Sequence, residues 1–398
     1  MQFGFTEEDE RFRAEARAWL GAHADHTRED RRAWERALGG AGWIGLGWPE
    51  SGYGNRTATL TQQVVWAEEY ARSAAPPRCG HIGENLLAPT LLAHGTAAQK
   101  SRFLPPIATG EELWCQGYSE PDAGSDLAGV RTTAVRDPDG THYRVTGQKI
   151  WTSLAHEADW CFVLARTDTG ARRHHGLSFL LVPMDQPGRI EVRPIRQMTG
   201  TSDFNEVFFD GARARVEHVV GGEGAGWRVA MSLLGYERGV STLAMQIGFA
   251  QELGKVVRTA LDTGAADDPV LRDLLVRQWA ELRTMRWNAL RALGGTGRTR
   301  RTGEAGEAGA AGEAGAPSVA KLLWAGWHQR LGELAMRVRG AAASAGPADW
   351  SPAAPYELDE LQHLFLFTRA ETVYGGSDQI QRTIVAERVL GLPREPKG

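Results

Sequence analysis

Residues 116–129 read QGYSEPDAGSDLAG, and residues 147–153, one strand further along the chain, read GQKIWTS. The first stretch mixes a proline and several glycines with short hydroxyl side chains, which predicts a tight loop that exposes backbone N–H groups, as a polar heterocycle requires. The second stretch places the aromatic plane of Trp151 next to the hydroxyls of Thr152 and Ser153. Taken alone, each stretch favours a plain hairpin with a core tryptophan.

The spacing of apolar residues changes twice along the chain. Helical spacing runs over the N-terminal part, where Thr6 with Asp9 is typical of a helix start and residues 60–70 form a second amphipathic stretch. Short runs of aromatic and branched residues between turn formers follow, and helical spacing then returns. The order helices, strands, helices predicts an α+β fold. The predicted domains are a helical domain at 1–112, a β-domain at 113–222 and a helical domain at 223–398.

Composition excludes several classes of protein. The 398 residues carry 45 Lys and Arg against 49 Asp and Glu, a net charge of −4, which argues against nucleic acid as a partner. An acidic N-terminus and the lack of a long apolar run argue against secretion and membrane insertion. Cys79, Cys115 and Cys161 are far apart, so neither a disulfide framework nor a metal site is expected, and a reducing cytoplasm fits best.

Common nucleotide and hydrolase motifs are missing or lack their context. A GxGxxG pattern occurs at Gly40, Gly42 and Gly45, but it follows a helical stretch, whereas dinucleotide binding needs a preceding strand. The sequence contains no Walker A, HExxH or GxSxG motif. These observations argue against the simplest nucleotide hydrolase, zinc protease and serine hydrolase functions.

A repetitive segment interrupts the C-terminal helical part. Residues 294–318 repeat GEAG and hold almost no large apolar side chain, so the segment has little surface to bury against the entropy of ordering. We therefore expect a flexible, solvated linker between two helices. A basic binding patch formed by Arg298, Arg300 and Arg301 is the less favoured alternative, because short charge runs usually only solvate the chain.

Together with the tail at 374–394, which reads YGGSDQIQRTIVAERVLGLPR, the two opening stretches make the whole chain resemble the acyl-CoA dehydrogenase family. The resemblance implies a barrel-like β-domain between an N-terminal helical domain and a C-terminal domain like a four-helix bundle. It also implies an FAD cofactor held between the β-domain and the C-terminal helices. The implied reaction removes a proton from the carbon alpha to a thioester and a hydride from the beta carbon.

The resemblance also assigns binding roles to residues of the three stretches. It implies that Ser119 hydrogen-bonds the pyrimidine side of the flavin and that Trp151 packs near the ring. Ser153 would lie by N5 with Gln116 alongside, and Thr152 would also bind the cofactor. Contacts near N1 and N5 matter because hydrogen bonds there tune the electronics of a flavin. The remaining residues with implied roles are Ser377 and Gln379 at the adenosine half of FAD, and Ser125, Arg238 and Gly375 at the substrate.

The catalytic base is expected at Glu237. Many family members carry a glutamate directly after the tail tyrosine, but this position is Gly375 here. Glu237 lies on an apolar helical stripe, four residues after Leu233, where desolvation raises the pKa of a carboxyl group toward the range of a general base. Isovaleryl-CoA and long-chain members carry their base on this helix directly before an arginine, which here is Arg238. Glu371 and Asp378 are the rival carboxylates.

Three functions remain open from the sequence. The first is an FAD-dependent dehydrogenase that makes a trans-2-enoyl thioester, on CoA or an acyl carrier protein, and passes electrons to an electron-transferring flavoprotein. The second is a partner subunit without chemistry of its own, because the usual arginine and phenylalanine motif for the FAD pyrophosphate is not visible. The third is a flavin monooxygenase or oxidase, against which a retained base at Glu237 counts.

The C-terminal helices predict an oligomer. Apolar and aromatic side chains occupy more than one face of these helices, and a helix that is apolar all round needs a partner surface. We expect a homo-oligomer, a dimer or a tetramer, with a hetero-oligomer as the alternative. The residues concerned are Trp279, Trp287, Trp324, Trp327, Leu364, Phe365, Leu366 and Phe367.

Overall fold

The computed structural model describes residues 5–24, 30–73, 75–236, 241–302, 307–346 and 358–394, with backbone alone at 241–244 and 292–314. The chain divides into two compact units. The first is Met1–Gln197 with Ser202–Gly239, and the second is Val240–Gly398 with Met198–Thr201. Across the described ranges, none of the helices combines the length and apolar character needed to cross a membrane.

The chain forms helices first, then strands and then helices again, which is the order that the sequence predicts. The N-terminal helices are α1 (Glu7–His23), α2 (Arg31–Gly40), α3 (Leu60–Arg72), α4 (Ala88–His94) and α5 (Ala97–Ala108). The strands are β1 (Trp114–Gly117), β2 (Thr133–Arg136), β3 (His142–Ser153), β4 (Trp160–Arg166), β5 (Leu177–Pro183), β6 (Ile190–Ile195), β7 (Phe204–Arg215) and β8 (Val219–Val220). The later helices are α6 (Gly226–Tyr236), α7 (Ser241–Asp262), α8 (Pro269–Thr302), α9 (Glu307–Arg339), α10 (Glu360–Phe367) and α11 (Asp378–Ile384).

Local capping sets where the first helix begins. The amide of Asp9 donates to the Thr6 hydroxyl over 3.2 Å, and the Asp9 carboxylate accepts from the Thr6 amide over 2.9 Å. This reciprocal capping box confirms the helix start that the sequence predicts at Thr6. The GxGxxG pattern lies at the end of α2 and in the loop that follows, so it lacks the strand that dinucleotide binding requires.

The strands form one mixed, eight-stranded sheet. Its hydrogen-bonded order is β6-β7-β3-β2-β4-β5-β8, and β1 pairs with β4 in parallel. The ladder does not close among the described strands, but β5 also contacts β7, so the sheet curls back on itself. The expected barrel-like domain is therefore a curled open sheet. Cys79, Cys115 and Cys161 are buried free thiols, which confirms that the cysteines form no disulfide framework.

The helix α6, which the sequence assigns to the C-terminal helical domain, packs in the first compact unit. Val229, Ala230 and Leu233 of this helix are fully buried in the same apolar cluster as residues of α4, α5, β4 and β5. At the start of α6, Gly226 presses on β5: a Cβ there would lie 2.5 Å from the Cα of Ser178. Because the sequence shows only helical period here, it could not indicate that α6 packs on the sheet.

The second unit is built from α7 to α11. Its apolar core joins α7, α8, α9 and α10 through side chains such as Phe249, Leu282, Trp327 and Leu364. The predicted linker at 294–318 needs correction, because α8 continues to Thr302 and α9 begins at Glu307. Gly315 and Ser318 are buried, and a Cβ on Gly315 would lie 2.9 Å from a methyl of Val389. Small residues here permit close packing, whereas the composition of the segment predicts a solvated linker.

We predict that Gly226→Ala destabilises the first unit by about 1–3 kcal/mol, the usual cost of overpacking, because backbone atoms of β5 must move. Gly21→Ala is the matched control: Gly21 also lies in a helix, but no atom stands within 4 Å of the added Cβ. The control should gain up to about 1 kcal/mol from helix propensity. Urea denaturation measures both changes, and equal stabilities of the two variants would contradict the packing argument.

Candidate functional site

A buried lysine holds the loop after β1 in place. Lys149 on β3 is fully buried, and its ammonium group donates to three oxygens: the Tyr118 carbonyl at 3.0 Å, the Glu120 carboxylate at 2.8 Å and the Leu164 carbonyl at 2.8 Å. Glu120 in turn accepts from the amides of Arg131 and Thr132. These bonds close the loop 118–132 at both of its ends and fasten it to the sheet.

The charges of this pair oppose the cost of burial. Burial alone raises the pKa of Glu120, but the Lys149 charge and the hydrogen bonds from Lys149, Thr132 and Arg131 lower it overall. Burial lowers the pKa of Lys149, and the Glu120 carboxylate only partly offsets this effect. Each ion in this interior site therefore depends on the other for its charge.

The hydrogen bonds of Lys149 and Glu120 hold the loop 118–132 on the sheet, and a further hydrogen bond joins the two predicted stretches. The Ser119 carbonyl accepts a hydrogen bond of 2.9 Å from the Ile150 amide, which joins the end of β1 to the end of β3. Gln116 lies two residues before the loop, half-buried on β1. Ser119 and Ile150, which are 31 positions apart in sequence, are thus neighbours in the first unit.

Trp151 owes its position to a β-bulge. Lys149 pairs with Val207 and Thr152 with Asn205, so two residues of β3 face a single residue of β7. Trp151 takes a φ of +60°, a left-handed conformation that costs a non-glycine residue about 1–3 kcal/mol. Its indole is 56% exposed and meets Phe204 edge to face at 6.1 Å between ring centroids. Such strain on an exposed aromatic plane is typical of a binding site.

The polar groups around Trp151 have unused hydrogen-bonding capacity. The Thr152 hydroxyl is buried and has no hydrogen-bond partner among the described residues. Ser119, Ser153 and Gln116 are half-buried. A buried hydroxyl without a partner is costly unless a ligand satisfies it. Hydroxyls and an amide beside an aromatic plane fit the polar edge of an isoalloxazine ring.

Residues 124–126 of the loop are open to solvent. Ser125 is exposed, and its neighbour Asp126 forms an ion pair of 2.6 Å with Arg173 from the loop between β4 and β5. Arg166 at the end of β4 donates to carbonyls of both loops, including those of Val130 and Arg173. The position of Ser125 is thus fixed from two sides while its side chain stays available to a substrate.

The tail stretch forms a glycine turn in the second unit. Gly375 and Gly376 take φ values of +62° and +84°, so side chains at either position are strained. A Cβ on Gly375 would lie 3.8 Å from the Lys321 ammonium, in ordinary contact distance. Ser377 caps α11 by accepting from the Ile380 amide, and Gln379 is exposed on the first turn.

The rival carboxylates are engaged within the second unit. Glu371 is buried and accepts hydrogen bonds from His328 at 3.0 Å and from the Tyr374 hydroxyl at 2.8 Å. Asp378 lies 3.6 Å from Arg382 on the next turn of α11. Glu237 and Arg238 lie outside the described residues, between α6 and α7, so their predicted roles stay predictions.

Sequence reasoning missed the buried charges. Lys149 occupies an inward position of the alternating strand β3, and a lysine at such a position was the available signal. His328 shares the apolar face of α9 with Trp324 and Leu331, which was a second signal. Within the part of the chain that the structure describes, no group of three His, Cys, Asp or Glu is placed to hold a metal ion.

Comparison with known proteins identifies the three parts of the chain. Residues 6–111 match the N-terminal domain of acyl-CoA dehydrogenases, residues 115–212 the middle domain and residues 224–390 the C-terminal domain. The acyl-CoA dehydrogenase IpdE1 of Mycobacterium tuberculosis is 52% identical over 98% of this chain and 99% of its own length.

Solved structures give the same match of fold. The chain superposes on a Tcur3481-Tcur3483 steroid ACAD with a TM-score of 0.82 and 29% identity, over 99% of this chain and all of the other. The ChsE4-ChsE5 complex from Mycobacterium tuberculosis gives a TM-score of 0.79 at 29% identity, with the same coverage.

We predict that Lys149→Met lowers the free energy of unfolding by about 3–5 kcal/mol, because it leaves the Glu120 carboxylate buried without its cation. The double variant Lys149→Met, Glu120→Gln should be less destabilised, since no uncompensated charge then remains. Urea denaturation at fixed protein concentration measures both. A loss below about 1 kcal/mol in the single variant would show that the pair does not hold the loop.

Proposed function

This chain belongs to the acyl-CoA dehydrogenase family, and we propose that it oxidises the Cα–Cβ bond of an acyl-CoA to the trans-2-enoyl-CoA. It is an oxidoreductase of CH–CH bonds with FAD as its cofactor. FAD, when bound, accepts the hydride from the beta carbon at N5. The observation that carries the proposal is the joining of the Ser119 loop to the strained end of β3 at Trp151.

The residues at this edge bind and orient the cofactor in the proposal. The Gln116 amide and the hydroxyls of Ser119, Thr152 and Ser153 satisfy the polar edge of the ring, and Trp151 covers it. The unpartnered Thr152 hydroxyl supports this assignment. In the second unit, Ser377 and Gln379 are proposed to contact the adenosine half of FAD, and Ser125 the pantetheine part of the substrate.

Glu237 is the proposed base that removes the α proton, with Arg238 beside it at the substrate. Three observations on other residues support this choice. Gly375, in its left-handed turn, offers no carboxylate at the position after the tail tyrosine. Glu371 is buried in hydrogen bonds to His328 and Tyr374, and Asp378 lies at the start of α11 near Arg382.

The proposed substrate is the CoA thioester of a bulky, polycyclic acid. A solved relative is named a steroid ACAD, and the IpdE1 relatives are named acyl-CoA dehydrogenases, which favours CoA over an acyl carrier protein as the handle. Gly375 leaves space beside the tail turn, since only the end of the Lys321 side chain comes within 4 Å of an added Cβ. An electron-transferring flavoprotein is the proposed electron acceptor.

A second candidate is a partner subunit that performs no chemistry. The ChsE4-ChsE5 complex, named as a two-chain assembly, favours this alternative. The two candidates differ in a property that is simple to observe. A catalytic chain purified alone holds flavin, whereas a chain that only completes another chain's site is colourless alone.

We predict that Glu237→Gln keeps its fold and flavin but loses flavin reduction by roughly 10²–10⁴-fold, the usual contribution of a general base. The measurement is anaerobic bleaching of the flavin absorbance with a panel of acyl thioesters on CoA and on acyl carrier protein, including steroid-derived acids.

Asp378→Asn is the control for this variant, because Asp378 is a rival carboxylate that the proposal leaves without a role in proton removal. It should keep the greater part of the rate. Near-normal reduction by Glu237→Gln would refute the assignment of the base. Flavin that bleaches only when oxygen is present would instead favour a monooxygenase or oxidase.

We predict that the chain forms an oligomer through an exposed stripe on α8. Val276, Trp279 and Trp287 are each more than half exposed at helical spacing, and Arg283 lies within 6 Å of both indole rings. Such a patch is typical of a contact surface, and we expect a second copy of this chain to cover it. The double variant Trp279→Ser, Trp287→Ser should sediment as a smaller species with its fold intact.

Val135→Ser, which changes an exposed apolar residue of β2, should leave the sedimentation coefficient of the oligomer unchanged. If the unsubstituted chain sediments as a monomer that still binds FAD, the stripe does not pair two copies. An oligomer that forms only after a related chain is added would identify a hetero-oligomer instead.

A further inference from the structure

A histidine of α9 lies between two carboxylates inside the second unit. The Nδ1 atom of His328 is 3.0 Å from an oxygen of Glu371, and its Nε2 atom is 2.8 Å from an oxygen of Glu252 on α7. The imidazole is 4% exposed and packs against the ring of Phe249 at 4.2 Å between centroids. The proposed reaction gives no role to this cluster.

The geometry fits a protonated ring between two carboxylates. A neutral imidazole donates from one nitrogen only, so its other nitrogen would face a carboxylate oxygen lone pair to lone pair. The imidazolium form donates to both carboxylates. Burial lowers the pKa of His328, but the hydrogen bonds and charges of Glu252 and Glu371 outweigh burial and raise it to about 8. His328 is therefore charged at neutral pH and loses its proton just above it.

Glu371 transmits this contact to the glycine turn. Its second carboxylate oxygen accepts from the Tyr374 hydroxyl at 2.8 Å, and its backbone carbonyl accepts from the Lys321 ammonium at 2.7 Å. Tyr374 directly precedes Gly375 and Gly376, which have no side chain to anchor them. Glu371, through Tyr374, therefore holds one side of this turn, and Gln381 holds the other by donating to the carbonyls of Gly375 and Gly376 at 3.3 and 3.2 Å.

Glu252 extends the chain of contacts to α7, the first helix after the segment that contains Glu237. Glu252 and His328 also line a cavity together with Lys255 of α7 and with Glu360 and His363 of α10. Lys255 is paired with Glu360 at 2.7 Å, so these two charges largely offset each other. Glu252 and Glu371 are thus the groups that set the charge of His328, with Lys321 on the far side of Glu371.

We propose that His328, as an imidazolium between Glu252 and Glu371, is a positioning residue that ties the turn from Tyr374 to Ser377 to α7 and so keeps the active site competent. The inference rests on the proposed function for its link to catalysis. Apolar side chains would fill the buried positions of His328 and Glu371 at lower cost than a buried ion pair, so stability alone does not account for the cluster.

The first experiment is the pH dependence of anaerobic flavin reduction at saturating acyl-CoA. The rate of the unsubstituted enzyme should fall as the pH rises through about 8, where His328 loses its proton. His328→Gln should be slower by roughly 10–100-fold, the cost of a small misplacement in an active site, and should lack this descent. His363→Gln is the matched control, with the same substitution in the same cavity, and should follow the unsubstituted profile.

Glu252→Gln is the milder variant, because Glu252 lies at the cavity and its loss leaves the pair of His328 with Glu371 intact. Removing one of two carboxylates lowers the pKa of His328, so the descent should move to lower pH. If His328 merely filled space, Glu252→Gln would change the rate of flavin reduction without shifting the pH at which that rate falls. This variant keeps the proposal testable if His328→Gln fails to fold.

The second experiment does not depend on activity. Hydrogen–deuterium exchange of a peptide spanning residues 371–378, corrected for the intrinsic effect of pH, should become faster above pH 8 in the unsubstituted protein. His328→Gln should show the faster exchange at every pH, and a peptide from α1 should not change. The sign follows from linkage: the contribution of His328 is complete below its ordinary pKa of 6.5 and is lost as the pH rises through about 8.

Two results would overturn the inference. One is a pH profile of Glu252→Gln or His328→Gln that keeps the shape of the unsubstituted profile above pH 7. The other is exchange at 371–378 that is unaffected by His328→Gln. Failure of the proposed function looks different, because then no acyl-CoA bleaches the flavin, or Glu237→Gln bleaches normally, while the exchange experiment still reports on His328.

Discussion

Lys149 carries its charge into the interior of the first unit, where each of its three donors meets an oxygen. An unpaired ammonium group would be expensive there, so the loop that supplies Glu120 and the Tyr118 carbonyl has little freedom to move away. Ser119, between these two residues, is held by its neighbours, and its carbonyl then fixes the Ile150 amide. Trp151 follows Ile150 directly, and the strand pairing on both sides of the bulge offsets the cost of its left-handed backbone conformation.

Features with local causes could be predicted from the sequence. The capping box at Thr6 depends on residues a few positions apart, and the structure has it where the pattern indicates. Packing choices were not accessible in this way. The helical period of α6 is the same whether the helix packs on the sheet or on other helices, and only the backbone contact of Gly226 with β5 decides the matter. Gly315 is a similar case, because small residues favour a solvated linker and close helix packing equally.

The candidate site also combines features that the local sequence predicts with features that depend on distant contacts. The hydroxyls near Ser119 and Trp151 could be named from two short stretches, but their meeting depends on Lys149, which is an unremarked residue within GQKIWTS. A bulge cannot be recognised from an alternating pattern, because it depends on which residues of β7 pair with β3. The buried state of Glu371 could not be foreseen either, since its partner His328 is 43 positions away, and Glu252, which contacts the other nitrogen of that ring, is 119 positions away.

The two units use buried charge in different ways. Burial lowers the pKa of Lys149 from an ordinary value of 10.5, whereas His328 starts from 6.5 and its carboxylates raise its pKa to about 8. The turn from Tyr374 to Ser377 is held by a proton that leaves within about one or two pH units of neutrality.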